Sequence, residues 1–387
     1  MNIIVLWLLI TPIFFALGWF AGRIDMKTVV KQAKQLPKRL YDSIEALIEN
    51  KGSIARDNIS DIIETEPQLT ELQIALGKLY RNRGENDLAI KLHTKLLNSQ
   101  YIFSSIEKDH VRLELAKDFQ QAGLVDRAEA ILLKLVNSEY YGHKAQESLL
   151  DIYQQDKNWK EAIKTADKLA TRDYSYHTEV AEFNCELAQE SLIKSSNNEA
   201  LIYADKALAI NKKCVRANLI IGETYFNQEE YTKSISTWQL IEKQNYLYLP
   251  MVIDKLFESY LKLGQIKEGI ILIKGYATLY PSLNLYDFIC QLLVNYDSID
   301  AALEYLRTVI KTNPNSKIAA LLVDLHSRNL PIEHKQDSET IKHILLRYNE
   351  KLSSHRCGRC NFKAKTFFWQ CPACYEWESI SPNNTEI

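Results

Sequence analysis

The four cysteines near the C-terminus carry the clearest chemistry in this sequence. Cys357-Gly358-Arg359-Cys360 and Cys371-Pro372-Ala373-Cys374 are two C-x2-C pairs separated by ten residues. Each pair makes a tight knuckle whose two thiolates face one ion, and two knuckles complete a tetrahedron. Four thiolates suit zinc and iron alike, so the expected cofactor is Zn, with Fe as the alternative. With every position filled by thiolate, none is open to water, which disfavours hydrolysis. Phe362, Phe367, Phe368 and Trp369 lie between the pairs and are expected to pack a short hairpin around the site. About 35 residues cannot build much core, so the ion itself should hold this module folded.

No other catalytic signature is present. The chain has no P-loop, G-x-G-x-x-G, G-x-S-x-G or H-E-x-x-H, each of which would mark a specific chemistry. Its eight His are scattered. His93 sits at a core position of a repeat and is expected to be packed. Cys185, Cys214 and Cys290 fall on repeat helices and should be buried small apolar residues. The chain therefore reads as a non-enzyme with no catalytic residue.

The elements that must position the cysteines follow from composition and period. Of 387 residues only 12 are Gly, about 3% against a usual ~7%. With 9 Pro, this favours helices over a turn-rich all-β fold. Apolar residues at 46% and charged residues at 25% are ordinary for a folded chain. The net charge of −2 argues against a dedicated nucleic-acid binder. The seven Cys, four of them in one stretch, do not make a disulfide scaffold and fit a reducing compartment.

A repeat organises the middle of the chain. An apolar pair recurs at Leu76-Gly77, Leu115-Ala116, Leu149-Leu150, Leu187-Ala188, Ile221-Gly222, Leu256-Phe257 and Ile289-Cys290, spaced 39, 34, 38, 34, 35 and 33 residues apart and large–small in most copies. Several are followed by an aromatic (Tyr80, Phe119, Tyr153, Tyr225, Tyr260) and by a small residue (Ala89, Ala128, Ala162, Ala200, Ala302). A weaker copy ends near Ala55, Ile59, Ile62 and Pro67. The spacing resembles the tetratricopeptide repeat, a 34-residue helix–turn–helix. Gly84, Gly123 and Gly264 fall where the first helix of a repeat should end in a left-handed residue. Ser191 replaces an aromatic, Ser234 and Gly269 replace the small Ala, and the fourth to sixth repeats are expected to be less regular. Such arrays present concave surfaces that bind proteins or peptides. The fifth repeat positions, among them Ile74, Leu113, Asp254 and Asp287, include no Lys, which disfavours a clamp for a peptide C-terminal carboxylate. Lys78, Arg81, Arg83 and Lys117 are candidates to line the groove, against the alternative of an ordinary solvated face.

Residues 3–22 form an uncharged apolar run of 20 residues, long enough to span about 30 Å of bilayer core. Arg23, Lys27, Lys31, Lys34, Lys38 and Arg39 follow it and nothing basic precedes it, so the positive-inside rule puts the N-terminus outside and the bulk in the cytoplasm. A cleaved signal peptide would want the opposite charge order and a small-x-small site. The expected organisation is an anchor (1–22), a basic linker (23–35), a tetratricopeptide-repeat superhelix (36–330), a connecting helix (331–353) capped at Asp337-Ser338, with Ile341, Ile344, Leu345, Tyr348 and Leu352 on its packing stripe, and a four-cysteine zinc-ribbon or rubredoxin-like module (354–387). The fold class is all-α apart from that module.

Leu76-Gly77-x-x-Tyr80-Arg81-x-Arg83-Gly84-Glu85-x-Asp87-x-Ala89-Ile90-x-x-His93, Ala122-Gly123-Leu124-x-Asp126-Arg127-Ala128-Glu129 and Trp369-x-Cys371-Pro372-x-Cys374-x-x-Trp377 together resemble the lipopolysaccharide assembly protein B family of Gram-negative bacteria, over nearly the whole chain. Asn361 departs from the family's Gly after the second Cys, and Asn tolerates left-handed geometry. The resemblance implies a non-enzymatic inner-membrane adaptor. It implies work with the membrane metalloprotease FtsH to promote degradation of the deacetylase that commits precursors to lipid A, alongside other lipopolysaccharide-assembly membrane proteins. A homo-oligomer is left open. The rivals are a rubredoxin-like iron electron carrier, a generic repeat scaffold, and a ribbon binding nucleic acid through Arg356, Arg359, Lys363 and Lys365. Four charges would give that last a modest, salt-sensitive affinity, and no nucleic-acid partner is expected.

Overall fold

The computed structural model describes residues 42–43, 45–46, 52–65, 69–99, 104–170, 176–328, 332–350 and 355–382. The expected anchor, the basic linker and the end of the chain lie outside these residues. Among the described residues no helix is long and apolar enough to cross a membrane.

From Gly52 the chain is a succession of helices: α1 (Gly52–Thr65), α2 (Thr70–Asn82), α3 (Asn86–Leu97), α4 (Ser105–Gln121), α5 (Val125–Leu135), α6 (Gly142–Gln155), α7 (Trp159–Leu169), α8 (His177–Ile193), α9 (Asn197–Ile210), α10 (Val215–Asn227), α11 (Tyr231–Asn245), α12 (Ile253–Lys262), α13 (Ile266–Leu279), α14 (Tyr286–Tyr296), α15 (Ile299–Thr312), α16 (Ser316–Ser327) and α17 (Ile332–Glu350). A two-residue hairpin, β1 (His355–Arg356) and β2 (Lys363–Ala364), follows. The chain divides into two compact units, residues 1–157 and 158–387. The division falls inside the repeats, and the cysteine module shares its unit with the later ones.

In each unit consecutive helices pair as the repeat predicts: α2 with α3 and α4 with α5 in the first, α8 with α9, α10 with α11, α12 with α13 and α14 with α15 in the second. The turn between partners is set by backbone chemistry. Gly84, Gly123 and Gly264 take φ of +78°, +74° and +73°, and the N–H one residue further on bonds back to the last turn, as Glu85 does to the Tyr80 carbonyl at 2.9 Å. Three turns without Gly make the same geometry with Lys157, Ser195 and Glu229. There the repeat signal is missing from the sequence but not from the backbone.

The small position is a close approach between helices. Ala89, Ala128, Ala162, Ala200 and Ala302 are fully buried. Ser234 in the same place donates its hydroxyl to the Gly222 carbonyl at 2.9 Å, and Ser191, in place of an aromatic, donates to the Leu187 carbonyl at 2.9 Å. The irregularity expected over repeats four to six is narrower: helices α8 to α11 are regular, and 3-10 turns at Tyr246–Met251 and Pro281–Leu283 interrupt the chain on either side of α12 and α13.

The glycines of the large–small pairs are the tightest points. A Cβ on Gly77 would lie 2.3 Å from His93 Nε2, and one on Gly222 would lie 2.2 Å from Trp238 Nε1, whereas one on Gly275 meets nothing. Gly77→Ala and Gly222→Ala should each destabilise their own unit by about 1–3 kcal/mol through overpacking. Gly275→Ala, a helix-interior change, should be neutral or stabilising by up to about 1 kcal/mol. Denaturant midpoints of the three variants check this; equal midpoints would show that the close approach is not limiting.

His93 is fully buried, as expected, with Nδ1 on the Asp118 carboxylate. The candidate groove cations are drawn into this same network. Arg81 bridges Asp118 at 2.6 Å and Glu114 at 2.7 Å, and Lys78 and Lys117 pair with Glu114 at 3.5 and 3.3 Å. Arg83 pairs with Glu85 at 3.4 Å. Burial would raise Glu114, but the Arg81 hydrogen bond and the charges of Lys117, Arg81 and Lys78 outweigh it and hold the carboxyl at about 2. Arg81 thus ties α2 to α4, while Lys78, Arg83 and Lys117 remain partly exposed beside their acidic partners.

Candidate metal centre

The hairpin β1–β2 pairs His355 with Ala364 and Arg356 with Lys363, and it delivers the first knuckle. The Cys357 N–H donates to the Phe362 carbonyl at 2.9 Å, and the Asn361 N–H returns to the Cys357 carbonyl at 3.1 Å. Asn361 sits at φ +66°, the left-handed residue that its side chain tolerates. The second knuckle repeats this pattern. The Cys371 N–H donates to the Glu376 carbonyl at 2.9 Å, the Tyr375 N–H returns to the Cys371 carbonyl at 2.8 Å, and Tyr375 takes φ +58°. Nothing in the side chain of Tyr announces that role, which only the symmetry of the two knuckles reveals.

The four sulfurs converge. Cys357 Sγ lies 3.7 Å from Cys374 Sγ, Cys360 Sγ lies 3.7 Å from Cys371 Sγ, and all four are within 4.8 Å of one another. A tetrahedron with metal–sulfur bonds of about 2.3 Å has edges of about 3.8 Å, so the donor set fits one ion. Its electrostatics ask for one too. Burial would raise Cys357, but the N–H groups of Cys360 and Arg359 and the Ser379 hydroxyl outweigh it and hold the thiol at about 6. The Phe362 N–H lowers Cys360, yet burial and the three neighbouring thiols push it up to about 12. Four sulfurs this close cannot all ionise unless a cation shares them.

The aromatic residues divide their work. Phe362 and Phe367 pack on Cys357, Cys371 and Ile380. Phe368, expected in the same packing, is 40% exposed. Trp369 turns instead toward the repeats, stacked on Tyr248 at 5.3 Å and beneath the Arg216 guanidinium at 5.3 Å. Trp377, outside the expected set, fits edge-on between Trp159 at 6.2 Å and Phe183 at 6.0 Å. The module is therefore clamped to α7, α8, α10 and the 3-10 turn at Tyr248 by two indoles.

Under Trp377 and Trp369 lies a buried polar cluster. Arg216 donates to Glu182 at 3.0 Å and to Glu186 at 2.8 Å. The Cys214 thiol faces Glu182 at 3.8 Å and Cys185 at 3.6 Å, and Glu378 of the module joins Glu182 and Cys214. Cys185, Cys214 and Cys290 are buried as expected, although Cys214 precedes α10 rather than lying on a helix. The connecting helix corrects two expectations. It begins at Ile332, so Asp337 and Ser338 lie inside it, and Ile341 and Ile344 are exposed rather than packed.

Residues 355–382 match the family described as the rubredoxin metal binding domain. Lipopolysaccharide assembly protein B of Escherichia coli (strain K12) is 26% identical over 380 residues, covering 97% of each chain. The protein of that name from Haemophilus influenzae is 27% identical over 394 residues, again covering 97% of each. Among solved structures, the C-terminal part of a TPR repeat-containing protein from Cytophaga hutchinsonii covers 62% of this chain and 95% of its own, at 14% identity and a TM-score of 0.39. The resemblance of the sequence to the lipopolysaccharide assembly protein B family thus holds along almost the whole chain.

Proposed function

We propose that this chain is a non-enzymatic adaptor in lipopolysaccharide assembly. It is anchored by residues 1–22 at the cytoplasmic face of the bacterial inner membrane, where it presents the lipid A-committing deacetylase to the protease FtsH. The observation that carries this reading is the end-to-end similarity to relatives named lipopolysaccharide assembly protein B. The site chemistry agrees with it. Cys357, Cys360, Cys371 and Cys374 would hold one ion, which we take to be Zn, and the ion would supply a cross-link between two knuckles. The anchor would confine the repeats beside the membrane, raising the effective concentration of partners there.

The test is the half-life of the deacetylase in cells. Deleting this protein should lengthen that half-life several-fold and raise lipopolysaccharide. Deleting residues 1–22 tests the tether alone, and replacing Cys357 and Cys360 by Ser tests the metal module alone. An unchanged half-life after complete deletion leaves only a generic scaffold. Elemental analysis of protein purified without chelator decides between a colourless Zn site and a coloured Fe site.

A further inference from the structure

The repeat groove that the sequence left unassigned has a built section at its C-terminal end. A cavity of about 660 Å³ opens between α14, α16 and α17. One wall is a row on α14 and its approach: Asn284, Asp287, Gln291 and Asn295. Spacings of four residues put Asp287, Gln291 and Asn295 on one face of α14, one per turn, with Asn284 before the helix at φ +52°. Asp287 and Gln291, the fifth and ninth positions of their repeat, share a hydrogen bond at 3.3 Å. The opposite wall is basic. Lys342 and Arg328 both bind Asp324, at 2.5 and 3.2 Å, and so two cations share one carboxylate. Lys317 adds a third cation. Among the described residues neither its ammonium nor the Asn295 amide has a partner. The floor is apolar, with Cys290 and Leu325 buried and Val294 and Leu321 half-buried.

We infer that this groove binds an extended peptide segment carrying an acidic side chain beside an apolar one. The α14 wall offers a carboxylate and two amides, Asp287, Gln291 and Asn295, at helical-turn intervals, which suits the N–H and C=O groups of an extended main chain. The cationic wall, one carboxylate short of neutral before Lys317 is counted, suits an Asp or Glu side chain, because charge-assisted hydrogen bonds are the stronger kind. The floor takes the neighbouring apolar side chain, and the volume is that of an ordinary ligand site. A carboxylate-terminus clamp would need Lys at the fifth position, where this chain has Asp287. The inference rests on the adaptor reading only for its biological use.

The probe is a positional library of seven-residue peptides, acetylated and amidated so that the only carboxylates are side chains. Binding to the purified full-length chain is read by fluorescence anisotropy. Pools with Asp or Glu at the centre should bind about tenfold more tightly than pools with Asn or Gln there, the ratio expected when a hydrogen bond to a charged group is lost. Lys317→Ala should reduce that preference severalfold while leaving the Asn and Gln pools unchanged, and Asn295→Ala should weaken all pools alike. Lys317 and Asn295 are exposed, and far-UV circular dichroism of each variant checks that the helices are retained. No saturable binding, no acidic preference, or a preference left undiminished by Lys317→Ala would each overturn the inference. These outcomes are independent of the deacetylase half-life: the groove chemistry can fail while the adaptor role stands, and the reverse.

Discussion

Cys371→Ser, or removal of the ion by a chelator, is expected to unfold residues 355–382 and uncover Trp159 and Phe183, with α7 to α16 remaining helical. The module has little else to fold on. Its strands are two residues each, and its buried centre is Cys357, Cys371 and Ile380 with Phe362 and Phe367 against them. Structural zinc in small domains contributes about 10–16 kcal/mol at neutral pH, as much as the whole stability of an ordinary domain, about 5–15 kcal/mol. The repeats, by contrast, carry a continuous core from Val215 to Leu325 that needs no ion. Amide exchange should therefore show protection lost across 355–382 and kept in α10 to α15. Tryptophan emission should shift red as the Trp159–Trp377 contact opens. Retention of exchange protection in the metal-free module would show that indole packing rather than the ion holds it.

The two halves of this arrangement were unequally legible in the sequence. The knuckles were, because C-x2-C spacing is local and a tight turn leaves few alternatives. The helix pairing was, because Ala89, Ala128 and Ala302 recur with the period of a packing contact. The seat of the module on the repeats was not. Trp377 meets Trp159 and Phe183 across some 200 residues of chain, and no period links them. The partners of the candidate groove cations were hidden for a related reason. Arg81 and Lys78 read as surface charge until Glu114 and Asp118, one repeat later, are brought against them. Charge in a sequence has no partner, and only the fold decides whether it faces ligand or neighbour. The connecting helix misled because its apolar stripe looks like a packing face, and the local pattern cannot say that Ile341 and Ile344 are left outside.

The cluster beneath the module should also make its docking depend on pH. Glu182 on α8 is enclosed by Arg216 and Cys214 at the start of α10, by Cys185 on its own helix, and by Glu378 from the module, with the Tyr248 phenol close by. Arg216 is shared with Glu186. Glu182 and Glu186 thus share one guanidinium, while Glu378 lies against Glu182. Burial raises Glu182 from its ordinary 4.5 to about 8, against the pull of Arg216, and burial raises Glu378 as well. A carboxyl raised in the docked state keeps a proton there that the undocked state releases. At low pH both states hold it and docking is at full strength. As pH rises toward 8 the undocked form ionises first, so docking weakens, by linkage up to about 1.4 kcal/mol per pH unit for one proton. Above 8 the dependence flattens. With the ion in place, the melting of the module followed by near-ultraviolet circular dichroism should fall from pH 6 to pH 8. Glu182→Gln keeps the shape, supplies a neutral hydrogen-bonding group and should level that slope, leaving the module more firmly docked than wild type at pH 8. The difference between the two proteins isolates Glu182. A slope of the same size in the variant would mean that the two carboxyls hold no common proton, and that Arg216 alone balances the cluster.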